Sequence, residues 1–118
     1  MRRGAAWQRR RFIVRVNGRL VPIRVEDVDW LDVEGNYVQL HTRAGVHPVR
    51  ETLSAVEARL DPALFARVHR SAMVQVDRIA SLEPYFHGEY VITMRDGAKL
   101  TASRSYSARL RDLLGKGW

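Results

Sequence analysis

Two turn dipeptides, Asn17-Gly18 and Asp96-Gly97, each stand between short apolar runs, and they constrain the fold more than any other feature of the chain. The tightest hairpin turns need positive φ, which Asn, Asp and Gly tolerate. Residues 12–16 and 20–23 therefore read as one antiparallel hairpin, and residues 90–94 and 99–102 as another. Further short runs lie between them. Residues 28–33 end at Gly35-Asn36, residues 37–41 alternate and end at Ala44-Gly45, and residues 46–50 follow. Pro48 has no N–H for a ladder, so this last strand belongs at a sheet edge. Thr52 offers an N-cap for a helix with Leu53, Val56 and Leu60 on one face, stopped by Asp61-Pro62. Phe65 falls in a short turn or 3₁₀ segment, and residues 68–71, 73–76 and 79–82 are strand candidates. Ser105 caps a last helix with Tyr106, Leu110, Leu113 and Leu114 on one face, ended by Gly115 or Gly117. With turns about every eight to twelve residues and no strand–helix–strand alternation, the expected fold is all-β and mainly antiparallel. One short helix is expected between the sheets and one at the C-terminus.

The chain has 118 residues and no cysteine, which suits one compact domain without disulfides or thiolate chemistry. Its formal charge is +7. Residues 1–11 hold five Arg and no acid, residues 12–66 carry −2, and residues 67–118 carry +4. Residues 1–11 thus read as a basic arm or linker, and residues 12–118 as the folded domain. All but Lys99 and Lys116 of the 20 basic residues are Arg. That bias suits bidentate contacts to phosphate and guanine, and it equally suits a genome rich in G and C. A basic chain points to a polyanionic partner, not to a fold. No apolar run reaches roughly 18 residues and no h-region follows the basic start, so neither a membrane partner nor a secretory signal is expected, and the expected location is cytoplasmic.

Nothing marks an enzyme. His41, His47, His69 and His87 lack the helical spacing of metal ligands, and no phosphate loop or nucleophile elbow is present. No catalytic residue, cofactor, metal or small-molecule substrate is expected. Asp27, Asp29, Asp32 and Glu34 read as a solvated strand face in preference to a catalytic carboxylate pair. The informative stretch is residues 65–79, where Arg67, His69, Arg70, Ser71, Gln75 and Arg78 stand among apolar anchors. Basic, amide and hydroxyl side chains at a strand–loop junction suit phosphates and base edges. They equally allow His69 and Ser71 to satisfy backbone groups while the arginines are solvated.

This stretch resembles the LytTR family of bacterial DNA-binding domains, the LytR/AlgR type of response-regulator output domain. The pattern Phe-x-Arg-x-His-Arg-Ser stands as Phe65, Arg67, His69, Arg70 and Ser71, followed by Met73-Val74-Gln75 and Arg78-Ile79. Upstream, residues 27–38 carry Asp27, Trp30, Gly35, Asn36, Tyr37 and Val38 in the family order. The Arg-x-Thr-Leu helix start is Arg50, Thr52 and Leu53, and the closing Ser-Arg-x-Tyr is Ser103, Arg104 and Tyr106. The resemblance runs from about Phe12 to Leu114. Ala72 replaces an aromatic, and Gln75 replaces Asn, which moves the amide outward by one methylene. The family's usual N-terminal receiver domain is not within these 118 residues.

The resemblance implies an elongated stack of short β-sheets whose loops enter successive major grooves of double-stranded DNA. It implies base contacts from Asn36, Arg70 and Arg104. It implies backbone contacts from Arg50, Thr52, His69, Ser71, Gln75 and Ser103, with His69 alternatively making a buried hydrogen bond that aims Arg70. Partners would be paired or repeated half-sites, with a homodimer forming on DNA. The Arg-rich arm is either a solvated linker or an auxiliary phosphate or minor-groove contact. The competing reading is a basic RNA-binding or protein-interaction module, although Tyr37, Tyr85, Phe86 and Tyr90 lack the spacing of stacking platforms on RNA-reading sheets.

Overall fold

The computed structural model describes residues 11–115, so the arm residues 1–10 lie outside the described residues. The chain forms two compact units divided between Leu60 and Asp61. Each is built mostly from antiparallel strands with one short helix.

In the first unit, β1 (Arg11–Val16) and β2 (Arg19–Arg24) form the expected hairpin, Val16 opposite Arg19. Asn17 at φ 51 and Gly18 at φ 78 make the turn whose twist matches the strands it joins. Arg11, grouped with the arm by its charge, is the first residue of β1, opposite Arg24. A 3₁₀ turn leads into the meander β3 (Val28–Glu34), β4 (Tyr37–Thr42) and β5 (Gly45–Val49). Pro48 does lie on an outer strand, as its missing N–H requires. The helix α1 spans Leu53–Glu57 and is shorter than the apolar spacing suggested. It ends at Ala58, and Leu60 reaches the core from the turn beyond it. Phe12, Val14, Val28, Leu31, Val38, Leu40, Leu53 and Val56 are buried. The Arg59 guanidinium lies 4.6 Å from the Phe12 ring centroid while its Nη1 donates to both Glu51 carboxylate oxygens.

One acidic residue departs from the expected solvated face. Asp29 is only 8% exposed. The β3–β4 register shifts between Val28 and Trp30, so the in–out alternation breaks where Asp29 stands.

In the second unit, β6 (Phe65–His69) and β7 (Ala72–Gln75) form a hairpin. Phe65 therefore lies in a strand, opposite Gln75, and not in a turn or 3₁₀ segment. Ser71 is in the turn and not at a strand end, because pairing stops at His69 and Ala72. After a second 3₁₀ turn come β8 (Ile79–Pro84), β9 (Tyr90–Met94) and β10 (Lys99–Ala102), in the sheet order β10-β9-β8. The Asp96-Gly97 hairpin joins β9 to β10, with Gly97 at φ 94. The helix α2 spans Arg104–Leu114 and packs against β6. Its N-cap is Ser103, two residues before the expected Ser105, and Gly115 ends it at φ 90. Leu110 and Ser107 are the buried residues of α2. The Ser107 hydroxyl donates back to the Ser103 carbonyl at 3.0 Å, so a polar residue fills a core-facing position of this short helix. Every residue of β7 is buried.

Candidate nucleic-acid interface

The β6–β7 turn is built to hold its own shape. His69 and Ser71 flank Arg70, whose side chain is exposed at the tip. The Ser71 backbone N–H donates to His69 Nδ1 at 3.2 Å. That nitrogen therefore carries no proton in the neutral ring, and the Ser71 hydroxyl is the donor in its 2.9 Å contact with Nδ1. The ring proton sits on Nε2. The Ser71 hydroxyl proton is thus turned inward, and it must rotate away before it can reach a phosphate oxygen.

The β10–α2 junction positions Arg104. The Ser103 N–H donates to the Val68 carbonyl at 2.8 Å. This bond ties the start of α2 to the strand that ends at His69. Two arginines far apart in sequence, Arg70 and Arg104, are thereby mounted on linked backbone segments of one unit. Arg104 is the first residue of α2 and is exposed. Its aliphatic stem lies against Gly88 in the 3₁₀ turn Phe86–Gly88. Ser103 makes no side-chain cap, and its hydroxyl lies 3.5 Å from that of Ser105.

In the first unit, Asn36 is exposed in the β3–β4 turn behind Gly35, which has φ 61. Beside it, Gln39 Nε2 donates to Glu34 Oε1 at 3.0 Å across the two strands. Arg50 follows β5, exposed, and borders an open groove with Arg15, Glu34, Tyr37 and Gln39. Thr52 caps α1, its hydroxyl oxygen accepting from the Ala55 N–H at 3.0 Å. The hydroxyl keeps its own proton to donate outward.

The placements of the expected contact residues are unequal. Asn36, Arg50, Thr52, Arg70 and Arg104 are exposed, and His69, Ser71 and Ser103 are half-buried. Gln75 is 7% exposed. Its extra methylene does not carry the amide out to the surface, because β7 is buried along its whole length. Arg15 and Gly88 were not singled out from the sequence. Arg15 enters through the position of β1 beside the groove, and Gly88 through its contact with Arg104.

His41 has a structural task. It stacks on Trp30, its cross-strand partner, with ring centroids 3.5 Å apart and planes 8° from parallel. Its Nε2 also meets Asp32 Oδ1 at 2.8 Å. Among the described residues no three His, Asp or Glu side chains cluster as metal ligands, and no helix is long and apolar enough to cross a membrane.

The chain is similar to several known proteins. The family model described as "LytTr DNA-binding domain" matches residues 18–115. The sensory transduction protein LytT of Bacillus subtilis is 32% identical over 99 residues, which are 84% of this chain and 41% of that protein. The transcriptional regulatory protein LytR of Staphylococcus aureus is 22% identical over 102 residues, 86% of this chain and 42% of that protein. The chain thus spans about two fifths of these relatives' length. A solved LytTr DNA-binding domain from Bacillus cereus superimposes with a TM-score of 0.81 at 24% identity, covering 90% of this chain and 97% of that one. That likeness shows the fold.

Proposed function

This chain belongs to the LytTR family of DNA-binding domains, and from that premise we propose that it reads double-stranded DNA sequence-specifically for a bacterial transcription regulator. The observation that carries this reading is the self-bonded turn of His69, Arg70 and Ser71, which presents one unencumbered arginine from a rigid base. A protein that only needs positive charge has no use for a fixed arginine; one that must grip O6 and N7 of a single guanine does. Arg104 has the same character, being mounted at the start of α2 and supported along its stem by Gly88.

In this reading Arg70 and Arg104 each take a guanine edge, and Asn36 takes adenine N6 and N7. Arg50, Thr52, Ser103 and the His69 Nε2–H hold phosphates and set the register. Ser71 orients the His69 ring and reaches phosphate only if its hydroxyl rotates. Gln75, being buried, supports the hairpin and is left out of the contact set. Loops of the domain enter successive major grooves, and two copies occupy paired half-sites as a dimer assembled on DNA. The domain works in the cytoplasm by binding and not by catalysis, and the four arginines of residues 1–10 add a salt-sensitive attraction.

Selection of bound duplexes from a random pool tests the reading. The expected result is one recovered motif, present twice in the tightest binders. Recovery of no motif, with affinity that tracks only salt, would overturn it in favour of a nonspecific basic module.

A further inference from the structure

We propose that Arg67 is the positioning residue of the recognition turn: it fixes the backbone of Arg70 and does not contact DNA. The inference rests on the reading of Arg70 as a base-contacting residue. From composition Arg67 is one more basic side chain near a DNA-facing loop, and the default role for such a residue is a phosphate contact. The geometry assigns it a different one. Arg67 is half-buried on β6, and its guanidinium folds back over the turn. Nε donates to the His69 carbonyl at 3.2 Å, and Nη2 donates to the Arg70 carbonyl.

These two carbonyls belong to the peptide planes on either side of the Arg70 α-carbon. The φ and ψ angles of Arg70 are the rotations that relate those planes. A rigid planar fork that grips both carbonyls therefore sets both angles and, with them, the direction in which the Arg70 side chain leaves the backbone. The register shift between Arg67 and His69 leaves the ladder interrupted just where these bonds form. The His69–Ser71 pair closes the other side of the turn. The Nε–H and the Nη2–H given to these two carbonyls are not presented to a phosphate. Lysine keeps the charge but has no fork, since an ammonium is a point donor on a flexible stem.

The test compares Arg67→Lys, Arg70→Ala and wild type on the selected duplex, on its single-base variants and across a salt series. Arg67→Lys is expected to lower discrimination at the base pair read by Arg70 by about tenfold, which corresponds to about 1.4 kcal/mol. It should leave the other positions and the slope of log K against log salt unchanged. In the Arg70→Ala background, Arg67→Lys should change no preference further. An Arg67→Lys protein that discriminates like wild type, or that loses affinity evenly over all sequences, overturns the proposal. If Arg70→Ala itself alters no base preference, the reading of Arg70 fails. A measurement on the wild-type protein covers the case in which Arg67→Lys does not fold. The Arg67 Nε–H NMR signal should be protected from exchange in the free domain and should keep its position when DNA is added. A signal that exchanges freely without DNA and shifts on binding would mark a phosphate contact and overturn the proposal.

Discussion

Gly88 lies directly against the stem of Arg104: a β-carbon on Gly88 would stand 3.2 Å from Arg104 Cγ and 3.4 Å from Cδ. Gly88 also has φ +81, and the Ser107 hydroxyl of α2, whose one proton goes chiefly to the Ser103 carbonyl at 3.0 Å, lies 3.4 Å from the Gly88 carbonyl as a weaker shared contact. The turn before β9 is therefore fastened to the helix that carries Arg104. Gly88→Ala should push the Arg104 stem aside and strain the turn. The expected outcome is weakened preference at the base pair read by Arg104, with the Arg70 position intact. Binding to single-base variants of the selected duplex checks this, and an equal loss at both positions would point to general unfolding of the unit.

Arg50 follows β5 at the edge of an open groove and is exposed. As a phosphate contact it should contribute affinity without sequence preference. Arg50→Ala is expected to weaken binding to all duplexes by a similar factor and to lower the salt slope by about 1. Titrations of matched and scrambled duplexes between low and physiological salt measure both quantities. A loss confined to one base pair would instead place Arg50 on a base edge.

Thr52 has a task in the fold whether or not it meets DNA. Its hydroxyl oxygen satisfies the Ala55 N–H at the start of a helix only five residues long. Thr52→Ala should cost about 1 kcal/mol of stability, the usual scale for losing such a cap, and Thr52→Ser should restore most of it. Urea unfolding followed by circular dichroism reads this. If Thr52→Ala lowers DNA affinity more than Thr52→Ser does under conditions where both variants are fully folded, the hydroxyl also meets DNA directly; equal affinities there confine its task to the cap.

His41 and Trp30 stack across β3 and β4, and Asp32 holds the ring from the same strand as Trp30. His41→Ala should destabilise the first unit by roughly 1 kcal/mol, the scale of one ring pair, while base preference stays unchanged. Thermal unfolding and the duplex panel together separate the two effects. An altered base preference at retained stability would move His41 into the reading surface.

The legible parts of the fold were those decided by local backbone chemistry. Asn17-Gly18 announced its hairpin because both turn residues take positive φ, and Asp96-Gly97 announced another in which Gly97 alone takes it. Pro48 announced an edge because it has no N–H. The features that were not legible depend on distant partners. Ser103, not Ser105, precedes the first turn of α2, where its N–H is committed to Val68 on another strand. Phe65 is in a strand because it pairs with Gln75. Asp29 turns inward because the register shifts beside it. The site divides in the same way. Spacing brought out residues 65–79 as suited to DNA, but the resemblance to a family, not periodicity, singled out Asn36 and Arg104. The back-folded guanidinium of Arg67 depends on a register shift that one-dimensional alternation does not contain.

The most direct test of sequence-specific reading by placed arginines is duplex selection repeated with Arg70→Ala and Arg104→Ala beside wild type. Each substitution should erase preference at one base pair, a different one for each, at a cost of about 1–3 kcal/mol of discrimination, while the rest of the motif is recovered unchanged. Motifs identical to wild type from both variants would contradict the account.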